Sequence, residues 1–422
     1  MYLEDKGLHL IKGIPLIGHG PDFIDGTATR IHGVWKSFTG AGSSTYAQVR
    51  LLELQKTTHL VKRLPNVKAD ARQTFERMAA SGSNFIDPGK AMFSLVATQG
   101  CRIVAVDEIV DDATKLQAFL KNVAILQFTN SVHLLPFMPL RYFSPTYWKR
   151  RYGRWGLESL VLPIIEKRMA PGAGREDDAL QVLIDAGDSK DYILNFLVGM
   201  MFIVAANAGV ITGSMLNLIA HHPDWQQKIY DEIKTQALKS SGGRADRPLV
   251  EMLDSLPLSA WDHLSTSLEL IFAETIRMWV AFPMGRYNDT TESIPIPGSD
   301  EVIPPGAYAC YNTVDVHYSK ELYPEPHKWD PLRWAPGRRE FETEAYGYMG
   351  WGGGRHPCIG MRWAKVQQNM IIAYALALYK WNGCDEQGND TTEFRQPTHA
   401  LAHLAPKLPS GTHIKFVPRT EE

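Results

Sequence analysis

Apolar positions recur at helical spacing for more than 30 residues between Asp188 and about His221. A helix of that length rises ~45 Å, enough to span the whole molecule. Asp188 and Ser189 supply its start, with Asp188 as the N-cap and Asp191 in the first turn. Pro223 then opens the next helix in the first-turn position that proline tolerates. A fold built around such an element is mostly helical and large. The most apolar stretch within it, Leu194 to Val204, is shorter than the ~20 residues a bilayer demands, so no membrane span is expected. The opening residues, MYLEDKGLHLIKG, carry no signal-peptide core.

The rest of the chain agrees with this reading. The first 60 residues are glycine-rich, with short apolar runs at Leu8–Ile11 and Ile14–Ile17 that read as strands and loops. Helices are expected over Asp111–Gln127, Thr146–Met169, Asp177–Ala186, Asp224–Leu238 and Ser265–Trp279. An aromatic, proline-bearing connector, Val132–Phe143, separates the first two. After Pro283 the texture changes to short strand and turn segments, Ile294-Pro-Ile-Pro-Gly and Glu301-Val-Ile-Pro-Pro-Gly. A helix over Met361–Leu378 and strand-like pieces near Leu401 and Ile414–Val417 close the chain. Neither repeats nor a dividing linker are visible. The 422 residues therefore read as one mainly α domain with a smaller β-rich part.

Composition narrows the possible functions. Hydrophobic residues make up 44% and charged residues 21%, which excludes a disordered chain. The net charge of −2 lacks the basic stripe of a nucleic-acid binder. Cys101, Cys310, Cys358 and Cys384 lie too far apart for a zinc cage or a disulfide framework. That spacing suits a reducing compartment: the cytoplasm, or the cytosolic face of the endoplasmic reticulum if an anchor once preceded these residues. One cysteine is free to carry chemistry, while the others are expected to be buried small hydrophobes.

That one is Cys358. It sits in WGGGRHPCIG, Trp351 to Gly360, directly before the Met361 helix. Three glycines let the backbone turn sharply and lie against a flat partner. Free amides and the helix dipole at the following N-terminus stabilise a thiolate there. Gly360 permits a close approach just after the cysteine, and Trp351 can pack beneath the loop.

The loop resembles the haem-binding signature of the cytochrome P450 family, Phe-x-x-Gly-x-Arg-x-Cys-x-Gly. Gly354, Cys358 and Gly360 match it, Trp351 stands for the Phe, and His356 stands for the Arg. Two further motifs follow the family order. Glu274-Thr-Ile-Arg277 resembles its ExxR, 84 residues before Cys358. Trp329-Asp-Pro-Leu-Arg-Trp334 resembles the segment whose arginine completes a Glu-Arg-Arg cluster. The resemblance implies the P450 fold, a large helical domain with a smaller β-rich subdomain, and haem b as cofactor. It makes Cys358 the axial ligand of the iron. Trp351, Gly352, His356, Gly360 and Arg286 would hold the cofactor, with His356 and Arg286 directed at its propionates. Glu274, Arg277 and Arg333 would form a buried structural network.

In this family the long central helix crosses the distal face of the haem, and most members place an acid-Thr pair there, the Thr 16 residues before the Pro of the next helix start. Counting back from Pro223 lands on Asn207, with Ala206 in the acid position. The competing register, with Thr212 in that place, needs a deletion inside a rigid helix. Asn207 is thus the expected catalytic residue, as in steroid 7α-hydroxylases and prostacyclin synthase. Its amide can donate or accept a hydrogen bond but cannot supply a proton as an acid would. By resemblance, Val204, Ala281, Phe282 and Leu401 line an apolar pocket for a lipophilic substrate: a terpenoid, steroid or polyketide. The implied activity is a monooxygenase working as a monomer with an NADPH-dependent reductase. The alternatives are a reductant-independent isomerase or dehydratase and a haem sensor or electron carrier.

Overall fold

The computed structural model describes residues 8–11, 44–129, 144–243, 247–280, 283–288, 290–296, 300–344, 346–352, 357–394, 408–409 and 411–419, with backbone alone at 8–11, 44–48, 283–287 and 308–312. Its long helices, in chain order, are α1 (Ser44–Leu54), α2 (Thr57–Ala80), α3 (Pro88–Val104), α4 (Ala113–Phe128) and α5 (Pro145–Met169), then α6 (Lys190–His221), α7 (Pro223–Ser240), α8 (Thr266–Trp279) and α9 (Met361–Leu378). The strands β1 (Leu8–Ile11), β2 (Phe85–Ile86), β3 (Pro283–Tyr287), β4 (Ile294–Pro295), β5 (Val302–Ile303), β6 (Tyr308–Asn312), β7 (Tyr379–Cys384) and β8 (His413–Pro418) pair antiparallel. They form small sheets in the orders β1-β6-β3 and β2-β8-β7, with β4 and β5 as a separate pair.

Helix α6 organises the core. From Ile193 onwards most of its residues are buried, packed against α3, α4, α5, α7, α8 and β7. Tight crossings fix its position. A Cβ placed at Gly209 would lie 3.0 Å from Phe93 Cα on α3, and one at Gly100 of α3 would lie 2.6 Å from Val204 Cγ2. Only hydrogen at these positions allows the two helices to approach so closely. By length and composition α6 could cross a membrane, with a mean hydropathy of 2.0 over its best 18-residue window, of which 61% is buried inside the protein. The uninterrupted run Leu194–Val204 understates this, because the residues beyond it up to Ala220 are mostly apolar and carry no charge. Three tryptophans, Trp261, Trp279 and Trp381, are fully buried around the same core. Each removes ~200 Å² from water, a gross contribution of about 5 kcal/mol.

Several expected boundaries hold: Met361–Leu378 is found as read, and α5, α7 and α8 begin within a residue of their expected starts. The start of α6 is different. Ser189, not Asp188, is the N-cap, its Oγ accepting from the Tyr192 amide at 3.3 Å. Asp188 instead accepts from Arg50 Nε and Nη2 at 2.8 and 3.0 Å, tying α1 to this corner. Both residue types cap helices, and a distant arginine decided between them. The glycine-rich beginning also departs from the strand-and-loop reading, since Ser44–Leu54 is helical. Expected features at Ile14–Ile17, Val132–Phe143 and Leu401 lie outside the described residues.

Candidate active site

The cysteine loop is built on α8. Trp351 packs edge-on against Phe272 of that helix, with centroids 5.4 Å apart. The Gly352 amide donates to the Met349 carbonyl at 3.0 Å while Gly352 takes φ +72°, a conformation that favours glycine. The chain then returns, and the Cys358 amide donates to the Trp351 carbonyl at 2.7 Å, closing the loop. Gly360 is the N-cap of α9, its carbonyl accepting from Ala364 at 2.9 Å.

Cys358 is exposed, yet enough protein surrounds the sulfur that desolvation pushes its thiol above the ordinary value. The Gly360 amide, directed at the sulfur, opposes that shift. A metal that takes this sulfur must displace its proton. Cys101 and Cys384 are buried and differ in kind, with burial pushing their thiols up to about 12 and about 11. Their burial is the expected one; the Cys310 side chain lies outside the description.

The surroundings of Cys358 fit a haem. A Cβ built on Gly360 meets nothing within 4 Å among the described residues, so the backbone just after Cys358 is uncovered on that side. Among the described residues no group of three or more His, Cys, Asp or Glu could hold a metal ion. A lone accessible thiol suits iron that arrives already held by a macrocycle, not a bare ion. Arg286 lies on β3, its backbone paired with Ala309, and His356 and Gly354 lie outside the described residues.

Behind the loop, Glu274 and Arg277 are fully buried on α8. Arg277 donates to both Glu274 oxygens at 2.8 Å and to the His317 carbonyl at 2.6 Å. Burial works against the Arg277 charge, but Glu274 outweighs it and holds the guanidinium above its ordinary value. Arg333 comes within 3.5 Å of Glu274, while its hydrogen bonds go to Glu340 at 2.8 Å and the Glu325 carbonyl at 2.9 Å. Two partners of Glu274 were not foreseen: the Asp330 amide and Trp334 Nε1, each donating at 3.1 Å. Both stand in the WDPLRW segment, in which the family resemblance points only to the arginine. The rings of Tyr318 and Tyr323 lie 5.5 and 5.0 Å from the Arg277 guanidinium and enclose it.

On α6, Asn207 is exposed, and Phe202, Ile203, Val204 and Ala208 around it are half-buried. Thr212 is fully buried: its Oγ1 donates to the Ala208 carbonyl and accepts from Gln368 Nε2 of α9, both at 2.7 Å. Ala281, Phe282 and Leu401 lie outside the described residues.

A mainly helical fold organised by one long core helix, with a glycine loop presenting a single thiol, defines a haem-thiolate protein. The family model for cytochrome P450 matches residues 45–408. A cytochrome P450 monooxygenase of Pseudocercospora fijiensis is 52% identical over 420 residues, covering 99% of this chain and 85% of that protein. The cytochrome P450 monooxygenase AacuE of Aspergillus aculeatus is 45% identical over 425 residues, covering 100% of this chain and 82% of that protein. The retinoic acid bound cyanobacterial CYP120A1 shares the fold at a TM-score of 0.70 with 16% identity, covering 99% of this chain and 87% of that one. The chain belongs to the cytochrome P450 family. It is an enzyme of the monooxygenase kind, its cofactor is haem, and its family implies a small-molecule substrate and a reductase.

Proposed function

We propose that this enzyme oxidises a lipophilic small molecule, of terpenoid, steroid or polyketide type, with dioxygen and electrons from an NADPH-dependent reductase. The observation that supports a lipophilic substrate is the partly buried apolar stretch Phe202, Ile203, Val204 and Ala208 beside Asn207, which packs on the core and leaves part of its apolar surface uncovered. Haem, when bound, supplies the dioxygen chemistry. Cys358 holds the iron; Trp351, Gly352 and Gly360 shape the loop, with Arg286 and His356 toward the propionates. Glu274, Arg277 and Arg333 serve folding. Asn207 faces the distal side and positions a water that delivers protons, since neither it nor Ala206 is an acid. The full burial of Thr212 against Gln368 supports this register.

Turnover of candidate substrates with and without reductant tests the reading. Product that forms only with NADPH, reductase and dioxygen supports the oxidation; product formed equally without reductant overturns it.

A further inference from the structure

Residues 206–209 of α6, the turn that presents Asn207, are gripped from three sides. Gln127, in the last turn of α4, is buried at 5% exposure, and its Nε2 donates to the Ala206 carbonyl at 3.0 Å. On a second side, Phe93 of α3 closes on Gly209. From α9, Gln368 donates to Thr212, which passes a hydrogen bond on to the Ala208 carbonyl. The two carbonyls that flank Asn207 in sequence thus each receive a side-chain donor in addition to the helical ladder. Extra donors at helical carbonyls draw them away from the i+4 amides and bend or fix the local turn.

The two grips differ in what they connect. Thr212 and Gln368 join elements of the buried core. Gln127 joins α6 to the end of α4, two residues before the segment 130–143 that leads to α5. Within α4 its neighbour Phe128 packs on Phe93 with centroids 5.0 Å apart, so the contact is continuous with the Gly209 crossing. A glutamine buried this deeply is kept satisfied by the hydrogen bond its amide donates to the Ala206 carbonyl, and an apolar side chain of similar volume would fill the same space without it.

We propose that Gln127 is a positioning residue: its hydrogen bond to the Ala206 carbonyl sets the orientation of the turn that aims Asn207 at the distal side of the haem. This rests on the assignment of Asn207 given above. Gln127 touches neither cofactor nor substrate in this scheme and acts only through α6.

The test uses the full chain loaded with haem and imidazole as the distal probe, its dissociation constant read from the Soret shift. Asn207→Ala, Gln127→Leu and the double variant are compared. Each single change should shift the constant about fivefold, the equilibrium worth of one buried neutral hydrogen bond. The double variant should shift no further than Asn207→Ala alone, because one residue acts through the other. Amide exchange of the peptide spanning residues 204–210 should quicken in Gln127→Leu. Additive shifts in the double variant overturn the proposal, as does a wild-type constant with wild-type exchange in Gln127→Leu. An unchanged constant in Asn207→Ala also overturns it; faster exchange in Gln127→Leu would then place the fault in the Asn207 assignment and not in the grip on the turn. Should Gln127→Leu fail to load haem, Gln127→Met keeps the length, removes the donor and is read identically.

Discussion

Asn207 stands sixteen residues before Pro223, between Ala206 and Ala208 and next to Gly209, so its amide is the one polar group on its turn of α6. An amide can hold a water in place but cannot replace the proton that water gives up. Asn207→Ala should therefore leave substrate affinity nearly intact while reducing equivalents are diverted to hydrogen peroxide. The measurement is the ratio of product to NADPH consumed, with peroxide assayed directly; unchanged coupling contradicts the role. At this scale the sequence was informative only where spacing along one helix singles out a position. The count back from Pro223 singled out Asn207, and the burial of Thr212 accords with it. By contrast, nothing in the local sequence marks Gln127, Gln368 or Trp334, because their partners lie 79, 156 and 60 residues away.

Helices α8 and α9 meet the loops through contacts that tolerate little change. Glu274 accepts four hydrogen bonds from groups on two segments, its own helix and the WDPLRW segment: two from Arg277, one from the Asp330 amide and one from Trp334. Removing the carboxylate leaves a buried guanidinium uncompensated, at a cost of ~3–5 kcal/mol. Glu274→Ala should give little folded, haem-loaded protein; normal yield and thermal stability would contradict the structural role. The crossing of α3 and α6 makes a second prediction at this scale. Gly209→Ala forces a methyl to 3.0 Å from the Phe93 backbone, overpacking that costs about 1–3 kcal/mol and should appear as a lowered Tm. Helix periodicity and capping residues made these elements legible in outline. The choice of Ser189 over Asp188 as cap was not, because Arg50 recruits Asp188 from 138 residues away.

For the whole molecule, the fold class followed from one long apolar helix, a glycine loop before a second buried helix, and the ordered motifs between them. The helix at Ser44–Leu54 was missed because the glycine-rich residues before it mask its periodicity. The substrate is less legible, since an apolar stripe along a strand or helix reads alike whether it faces core or pocket. What unites the described parts is the placement of Cys358. The Trp351 carbonyl, the Gly360 amide and the packing of Phe272 all serve to present one sulfur. The most direct test is the absorption spectrum of the dithionite-reduced, carbon monoxide-bound protein, recorded for the native chain and for Cys358→Ser. The native chain should show the red-shifted Soret band of thiolate-ligated haem, and Cys358→Ser should lose it; a thiolate-type band that persists in Cys358→Ser would contradict the assignment of Cys358 to the iron.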